Sequence, residues 1–145
     1  MRKPSVVLDT NVIISGLILP KSKPGQIIRI WLSNNFHHVT SLPLLKELER
    51  ILNYPKIRKK YLLTSIAVSE LLNKIKNDSK VISNLILPTI FVRDKEDLIV
   101  IATALDGKAE YLITGDEDLL SMRNDPGINP LKIVTVEEFL NLFNN

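Results

Sequence analysis

The chain has 145 residues, 45% of them hydrophobic and 24% charged, with a formal net charge of +3. That balance fits an ordinary globular domain with a mild basic excess, which permits a nucleic-acid partner without demanding one. The absence of cysteine excludes disulfides, thiolate zinc sites, iron–sulfur clusters and a cysteine nucleophile. No uncharged apolar run reaches the roughly 18 residues of a spanning helix, and the stretch between Pro4 and Asp9 is too short for a signal-peptide core. A single cytoplasmic domain covering residues 1–145 is therefore expected.

Val6, Val7 and Leu8 form an apolar, β-branched run without alternation, as in a strand buried on both faces. Asp9 follows, and then Val12, Ile13 and Ile14 open a short helix expected to end near Gly16 or Leu19. After a Pro- and Lys-rich loop, Ile27, Ile30 and Trp31 recur at helical period up to Asn34-Asn35. Residues 36–40 read as a second strand. Ser41 reads as the start of a helix over residues 42–52, with Leu44, Leu48, Ile51 and Leu52 on one stripe. Tyr54-Pro55 interrupts it, and a short helix is expected over residues 57–62. Thr64 caps a longer one carrying Ile66, Val68, Leu71, Leu72 and Ile75. The crowded helices between residues 24 and 77 suggest a hairpin that projects from the sheet or docks a second subunit.

Residues 79–91, interrupted by Pro88, read as a loose strand-bearing region. A charged segment, residues 93–97, then enters a helix with Leu98, Ile101, Ala102 and Leu105 at helical spacing, ended by Gly107. Residues 111–114 form the next strand, Gly115-Asp116 a turn and residues 118–122 a brief helix. A loop over residues 123–130 leads to a last strand over residues 131–134. Thr135 then caps a terminal helix, with Glu138 completing a capping box, and Asn144-Asn145 should fray. Strands alternating with helices predict an α/β sandwich around a mainly parallel sheet.

Open sheets of this kind place their sites just beyond the carboxyl ends of the strands. Asp9 leaves the first strand there, and Asp116 sits two residues past the strand ending at Thr114. Each can also be an ordinary turn or cap residue. Glu47 shares a face with Leu44 and Ile51, while Asp97 stands four residues before Ile101 in a first helical turn. If these four carboxylates converge, they repel by roughly 3 kcal/mol per pair at 5 Å and an effective dielectric near 20, which raises their pKa values or calls for cations. An all-oxygen donor set suits magnesium or manganese. Neither Thr10 nor Ser15 has a base nearby in sequence to make it a nucleophile, and the adjacent His37 and His38 read as strand or surface residues.

In these motifs the chain resembles the PIN-domain nucleases, in particular single-domain members regarded as toxin components of toxin–antitoxin systems. The resemblance is carried by Val7-Leu8-Asp9-Thr10-Asn11-Val12 with Ile13-Ile14-Ser15-Gly16-Leu17 behind it, by Glu47 after Ser41, and by Arg93-Asp94-Lys95-Glu96-Asp97. It is completed by the run from Ala109 through Thr114-Gly115-Asp116-Glu117-Asp118 to Leu120. It implies a three-layer α/β/α sandwich and hydrolysis of a phosphodiester, usually in RNA, that depends on Mg2+ or Mn2+. Asp9, Asp97 and Asp116 match metal ligands, and Glu47 matches the residue that binds a second ion or orients water. Asp118 matches an outer acid, and Asn11 and Thr114 are placed to hold carboxylates or waters. Asp97 is preferred to Asp94 as the third acid because Leu98, Ile101 and Ala102 set its register, which leaves Asp94 nearer the cap. The family also implies a homodimer or an antitoxin protein as partner.

For substrate grip, Lys21 and Lys23 follow the first site segment, and Lys56, Arg58, Lys59 and Lys60 form a basic run beside Tyr54 and Tyr61. A solvated surface is the competing reading for both. Trp31 and the apolar residues at positions 27, 30, 66, 71 and 72 are expected mostly in the core. Two other functions remain open at this point. One is a PIN-like RNA-binding or assembly module without useful turnover. The other is a phosphatase of the haloacid-dehalogenase type, weakened because its second aspartate would fall at Asn11.

Overall fold

A computed structural model describes residues 3–90 and 92–144. Met1, Arg2, Phe91 and Asn145 lie outside the described residues, and with them part of the expected strand region and of the fraying tail. Five strands form one sheet: β1 (Ser5–Leu8), β2 (His37–Ser41), β3 (Lys80–Ile82), β4 (Tyr111–Ile113) and β5 (Lys132–Val134). Their order is β3-β2-β1-β4-β5 and every pairing is parallel. Between β1 and β2 lie α1 (Thr10–Ile18) and α2 (Lys23–Leu32), and between β2 and β3 lie α3 (Leu42–Leu52), α4 (Pro55–Lys60) and α5 (Ser65–Asp78). The helix α6 (Lys95–Asp106) connects β3 to β4, α7 (Glu117–Leu120) and a 3-10 turn lead to β5, and α8 (Val136–Phe143) ends the described chain.

Alternating side chains send successive residues of each strand into different layers. Val6, Leu8, Ile113 and Val134 belong to one apolar cluster with Ile13, Ile27, Trp31, Leu48, Leu72 and Phe139. Val7, Val39, Leu112 and Ile133 join Val100, Ile101, Ala104 and Leu119 in the other. Covering both faces is what an all-parallel sheet requires, and the unalternating Val6-Val7-Leu8 run records it. The result is a three-layer α/β/α sandwich of the expected class.

Strand order grows outward from β1 in both directions, through β2 to β3 on one side and through β4 to β5 on the other. Right-handed crossovers then place the connecting helices on opposite faces and open a crevice between the carboxyl ends of β1 and β4. Leu8 pairs with Ile113, so Asp9 and Thr114 emerge side by side at that crevice.

Several local expectations need correction. Of the two ends expected for α1, the one near Leu19 is found, since the helix runs to Ile18 and Leu19 is its C-cap; Gly16 is instead the point where α2 crosses, and a Cβ there would meet Ile28 Cγ1 at 2.7 Å and Pro24 O at 2.8 Å. Ser41 occupies the cap position of α3 without a side-chain capping bond; its hydroxyl accepts from Thr103 Oγ1 at 2.8 Å instead. The short helix after α3 begins at Pro55, where a missing N–H is harmless. Among the described residues of the region 79–91, only Lys80–Ile82 is strand. Ile66 is 72% exposed although its neighbours Val68 and Leu72 are buried. Thr64 does cap α5, and Thr135 and Glu138 form the expected capping box on α8. No helix among the described residues is long and apolar enough to cross a membrane.

Candidate metal centre

Thr114 stitches the two strand ends together. Its hydroxyl donates to Asp9 Oδ2 at 2.7 Å, and the same oxygen accepts from the Asp116 backbone N–H at 3.0 Å. The Asp9 N–H donates to the Ile113 carbonyl at 3.0 Å, extending the β1–β4 ladder by one residue. Asp116 then caps α7, with Oδ1 accepting from the N–H groups of Asp118 at 2.8 Å and Leu119 at 3.2 Å. Cap and candidate ligand are therefore one residue: the cap uses one oxygen and leaves Oδ2 without a hydrogen bond among the described residues. Asp94 does for α6 what was expected of it, accepting from the Glu96 N–H at 3.0 Å, and this sets Asp97 in the first turn with its side chain 7% exposed.

Carboxylate oxygens of Asp97, Asp116 and Asp118 lie within 4.8 Å of one another. Asp118, expected as an outer acid, thus joins two of the expected ligands, while Asp9 stands outside that triad and reaches it through charge, and Glu47 stands further out, reaching Asp9. Burial pushes the Asp97 carboxyl up to about 6, reinforced by Asp116, Asp94, Asp9 and Asp118. Burial also raises Asp9, against the Thr114 and Thr10 hydrogen bonds that favour its ionised form, and Asp116 adds to the rise. Glu47 is raised by burial and then by Glu96 and Asp9, with Arg50 opposing. Asp9, Glu47 and Asp97 are thus all raised, each by its own burial and by the negative charge of acids beside it. Within 4.0 Å, the one basic partner among the described residues is the exposed Arg93, 3.8 Å from Asp118. Closely spaced oxygen donors lacking a buried counter-charge fit a hard divalent cation, and the triad has the capacity to hold one.

The remaining expected site residues divide. Asn11 is exposed, and its side chain makes no hydrogen bond among the described residues. Lys23 pairs with Glu137 at 3.1 Å. Arg58 is a structural staple: it donates to Ser65 Oγ at 2.7 Å, to the Leu52 carbonyl at 3.4 Å and to Asn53 Oδ1. Lys60 sits 5.3 Å from the Tyr61 ring centroid, and Lys21, Lys56 and Lys59 are exposed. The sequence reading overlooked a cavity of about 300 Å3 between α3 and α6, lined by Pro43, Lys46, Glu47, Arg50, Glu96 and Ile99. Its signal was present in the spacing, since Lys46 and Arg50 flank Glu47 one turn apart on the helix. His38 is buried, with Nδ1 2.7 Å from Ser79 Oγ, which places it in the core, away from these acids in sequence and in contacts.

A parallel α/β/α sandwich with acids gathered at its switch point defines a class, and the comparison with known families agrees. Residues 5–118 match the PIN domain family, and the chain belongs to it. An uncharacterized protein of Methanocaldococcus jannaschii is 37% identical over 148 residues, an alignment covering 97% of this chain and 92% of that protein.

Proposed function

We propose that this protein hydrolyses phosphodiester bonds in nucleic acid with the aid of bound Mg2+ or Mn2+, and that its substrate is RNA, cleaved internally. The observation that carries this reading is the convergence of Asp97, Asp116 and Asp118 within 4.8 Å, with Asp9 coupled by charge to Asp97 and Glu47 in turn to Asp9, in a member of the PIN domain family. Asp9, Asp97 and Asp116 are the metal ligands in this reading, and Asp118 completes the oxygen cage. When bound, the ion lowers the pKa of a water and neutralises charge on the phosphate. Thr114 fixes the Asp9 carboxylate through Oδ2, so that the ligand is held in one orientation before substrate arrives. Glu47, half-exposed on the wall of the α3–α6 cavity, orients the attacking water or takes a second ion. Toxin activity, with an antitoxin or a second copy of the chain as partner, is a narrower form of the same proposal. It is supported by the apolar tip between α4 and α5, where Leu62 is 85% and Ile66 72% exposed.

The test is cleavage of end-labelled single-stranded RNA, structured RNA and DNA in magnesium, manganese or EDTA, beside the Asp97→Asn protein. Cleavage that needs the divalent ion and vanishes in the variant supports the reading. Equal cleavage by wild type and variant, or cleavage that persists in EDTA, would sink it. RNA binding without turnover in any metal moves the assignment to a binding module.

A further inference from the structure

A polyanion approaching five carboxylates is repelled until something positive meets it; Arg93 already lies 3.8 Å from Asp118, and several other basic side chains of the domain are engaged elsewhere. Arg58 is tied by three hydrogen bonds, Lys23 by Glu137, Lys74 by Asp78 at 2.7 Å and Arg123 by Glu138 at 2.6 Å. Lys46 and Arg50 differ. Both are exposed and both line the cavity that holds Glu47 and Glu96, yet among the described residues neither closes to within 4.0 Å of a carboxylate. Arg50 acts on Glu47 through space, opposing part of the rise that burial, Glu96 and Asp9 impose on it. Two cations one turn apart on α3 thus border the acid group with their donors uncommitted.

We infer that Lys46 and Arg50 bind the phosphate backbone of a single-stranded nucleic acid in the cavity between α3 and α6, leading it to the carboxylates at the end of β1 and β4. The inference rests on the nuclease reading for the identity of the polyanion. Its geometry has three parts. Side chains four apart on a helix stand about 5–6 Å from each other at Cβ, so the pair can address neighbouring phosphates of one strand. Arg50 offers a planar fork that matches two phosphate oxygens, and Lys46 a point charge. A space of about 300 Å3, at the small end of ligand pockets and bounded by two helices, matches a nucleotide of a single strand, with Pro43 and Ile99 as apolar surface for a base. Glu96 faces the same space from α6 and keeps the strand on the basic wall.

The experiment is equilibrium binding of a fluorescent single-stranded RNA of about ten nucleotides in calcium over a range of salt, with probe integrity checked on a gel. It compares wild type with Lys46→Ala, Arg50→Ala, Arg50→Lys and, as a charge-matched control, Lys74→Ala. Both alanine variants should weaken binding about 3- to 10-fold and reduce the slope of log affinity against log salt by about 0.7 each, the value for one phosphate contact on a single strand. Lys74→Ala should match wild type, and Arg50→Lys should keep the slope while losing part of the affinity. Manganese affinity should survive in both alanine variants, which also certifies that they fold. Wild-type slopes in Lys46→Ala and Arg50→Ala, or a wild-type protein that binds duplex in preference to the single strand, overturn the inference. The nuclease reading fails separately: a wild type that binds through Lys46 and Arg50 but never cleaves refutes turnover and leaves the grip standing, whereas cleavage with unchanged KM in both variants refutes the grip alone.

Discussion

The two ends of the sheet make an instructive pair. At the amino end, where the chain enters β4 and β5, lies a cavity of about 570 Å3 lined by Leu105, Lys108, Tyr111, Pro130, Leu131 and Lys132 among others. It is larger than the α3–α6 cavity at the other end, and its polar groups are in good order: the Lys132 ammonium, for instance, rests 6.0 Å from the Tyr111 ring centroid. At the carboxyl end the space is smaller but the electrostatics are unfavourable, with Asp97 buried beside Asp116, Asp94, Asp9 and Asp118. A fold can leave room anywhere that helices fail to meet. It tolerates mutually repelling buried acids where a ligand repays their desolvation, so charge and not volume separates the two ends.

The largest expected effect sharpens that contrast. Removing an outer partner of a metal ligand typically lowers affinity or activity about 10- to 100-fold, so Asp97→Asn should cut metal-dependent cleavage by more than about 100-fold in single-turnover assays. Next comes pH. Asp97 titrates near 6 in the fold against 3.8 for its ordinary value, so the folded state binds more protons than the unfolded one between these values. Its penalty is fully present above about pH 6 and is relieved as pH falls through the folded pKa. Metal-free protein followed by urea denaturation should gain stability between pH 7 and 4.5 at this site, and Asp97→Asn should flatten that gain. Asp9 and Glu47 shift in the same direction. Manganese at about 100 times its Kd should stabilise the wild type by about 2.7 kcal/mol at pH 7 and lose this effect as pH drops below 6, where protons compete for the ligands. Lys132→Ala, at the amino end, should leave both responses unchanged.

Thr114→Val removes the donor to Asp9 and the acceptor for the Asp116 N–H in a site where the hydroxyl is fully buried. Denaturation should show a loss of about 1–2 kcal/mol, and carbon-detected titration should find Asp9 shifted further up. The smallest effect belongs to the amino end. Lys108 adopts φ 53° just past α6, a left-handed conformation that a side chain resists by about 1–2 kcal/mol, offset by the greater freedom of glycine in the unfolded chain. Lys108→Gly should therefore raise stability by no more than about 1 kcal/mol and leave manganese affinity alone. A change in metal binding from that substitution would break the division between the two ends.

Much of this was legible in the residues because local rules and global fold agree. Val6-Val7-Leu8 announced a doubly covered strand, Asp94 a cap, Asp97 a first-turn acid, and Thr135 with Glu138 a capping box, and each is found so. What escaped reading depends on contacts distant in sequence. Gly16 resembles a helix terminator until α2 crosses it, and Ser41 resembles a cap until Thr103, 62 residues away, engages its hydroxyl. Arg58 resembles part of a nucleic-acid patch, but its neighbours Asn53 and Ser65 fold back to meet it. For the candidate site, the sequence singled out candidate acids but not how the structure groups them: Asp118 stands with Asp97 and Asp116 because α7 turns immediately after its cap, a tightness that spacing alone does not encode. Lys46 and Arg50 went unread because isolated cations on an amphipathic helix look like solvated surface until the opposing helix supplies a wall.

The double employment of Asp116 also bears on how such a domain can change over generations. Its Oδ1 ties down the four residues of α7, a task an amide oxygen performs nearly as well, whereas a neutral amide is a poor substitute for a carboxylate ligand. One base change converts an aspartate codon to an asparagine codon. Such a change would leave α7 capped and the sandwich intact while weakening the metal-binding capacity, so under the proposed nuclease function descendants that bind without cutting stand one mutational step away and need no structural invention to get there.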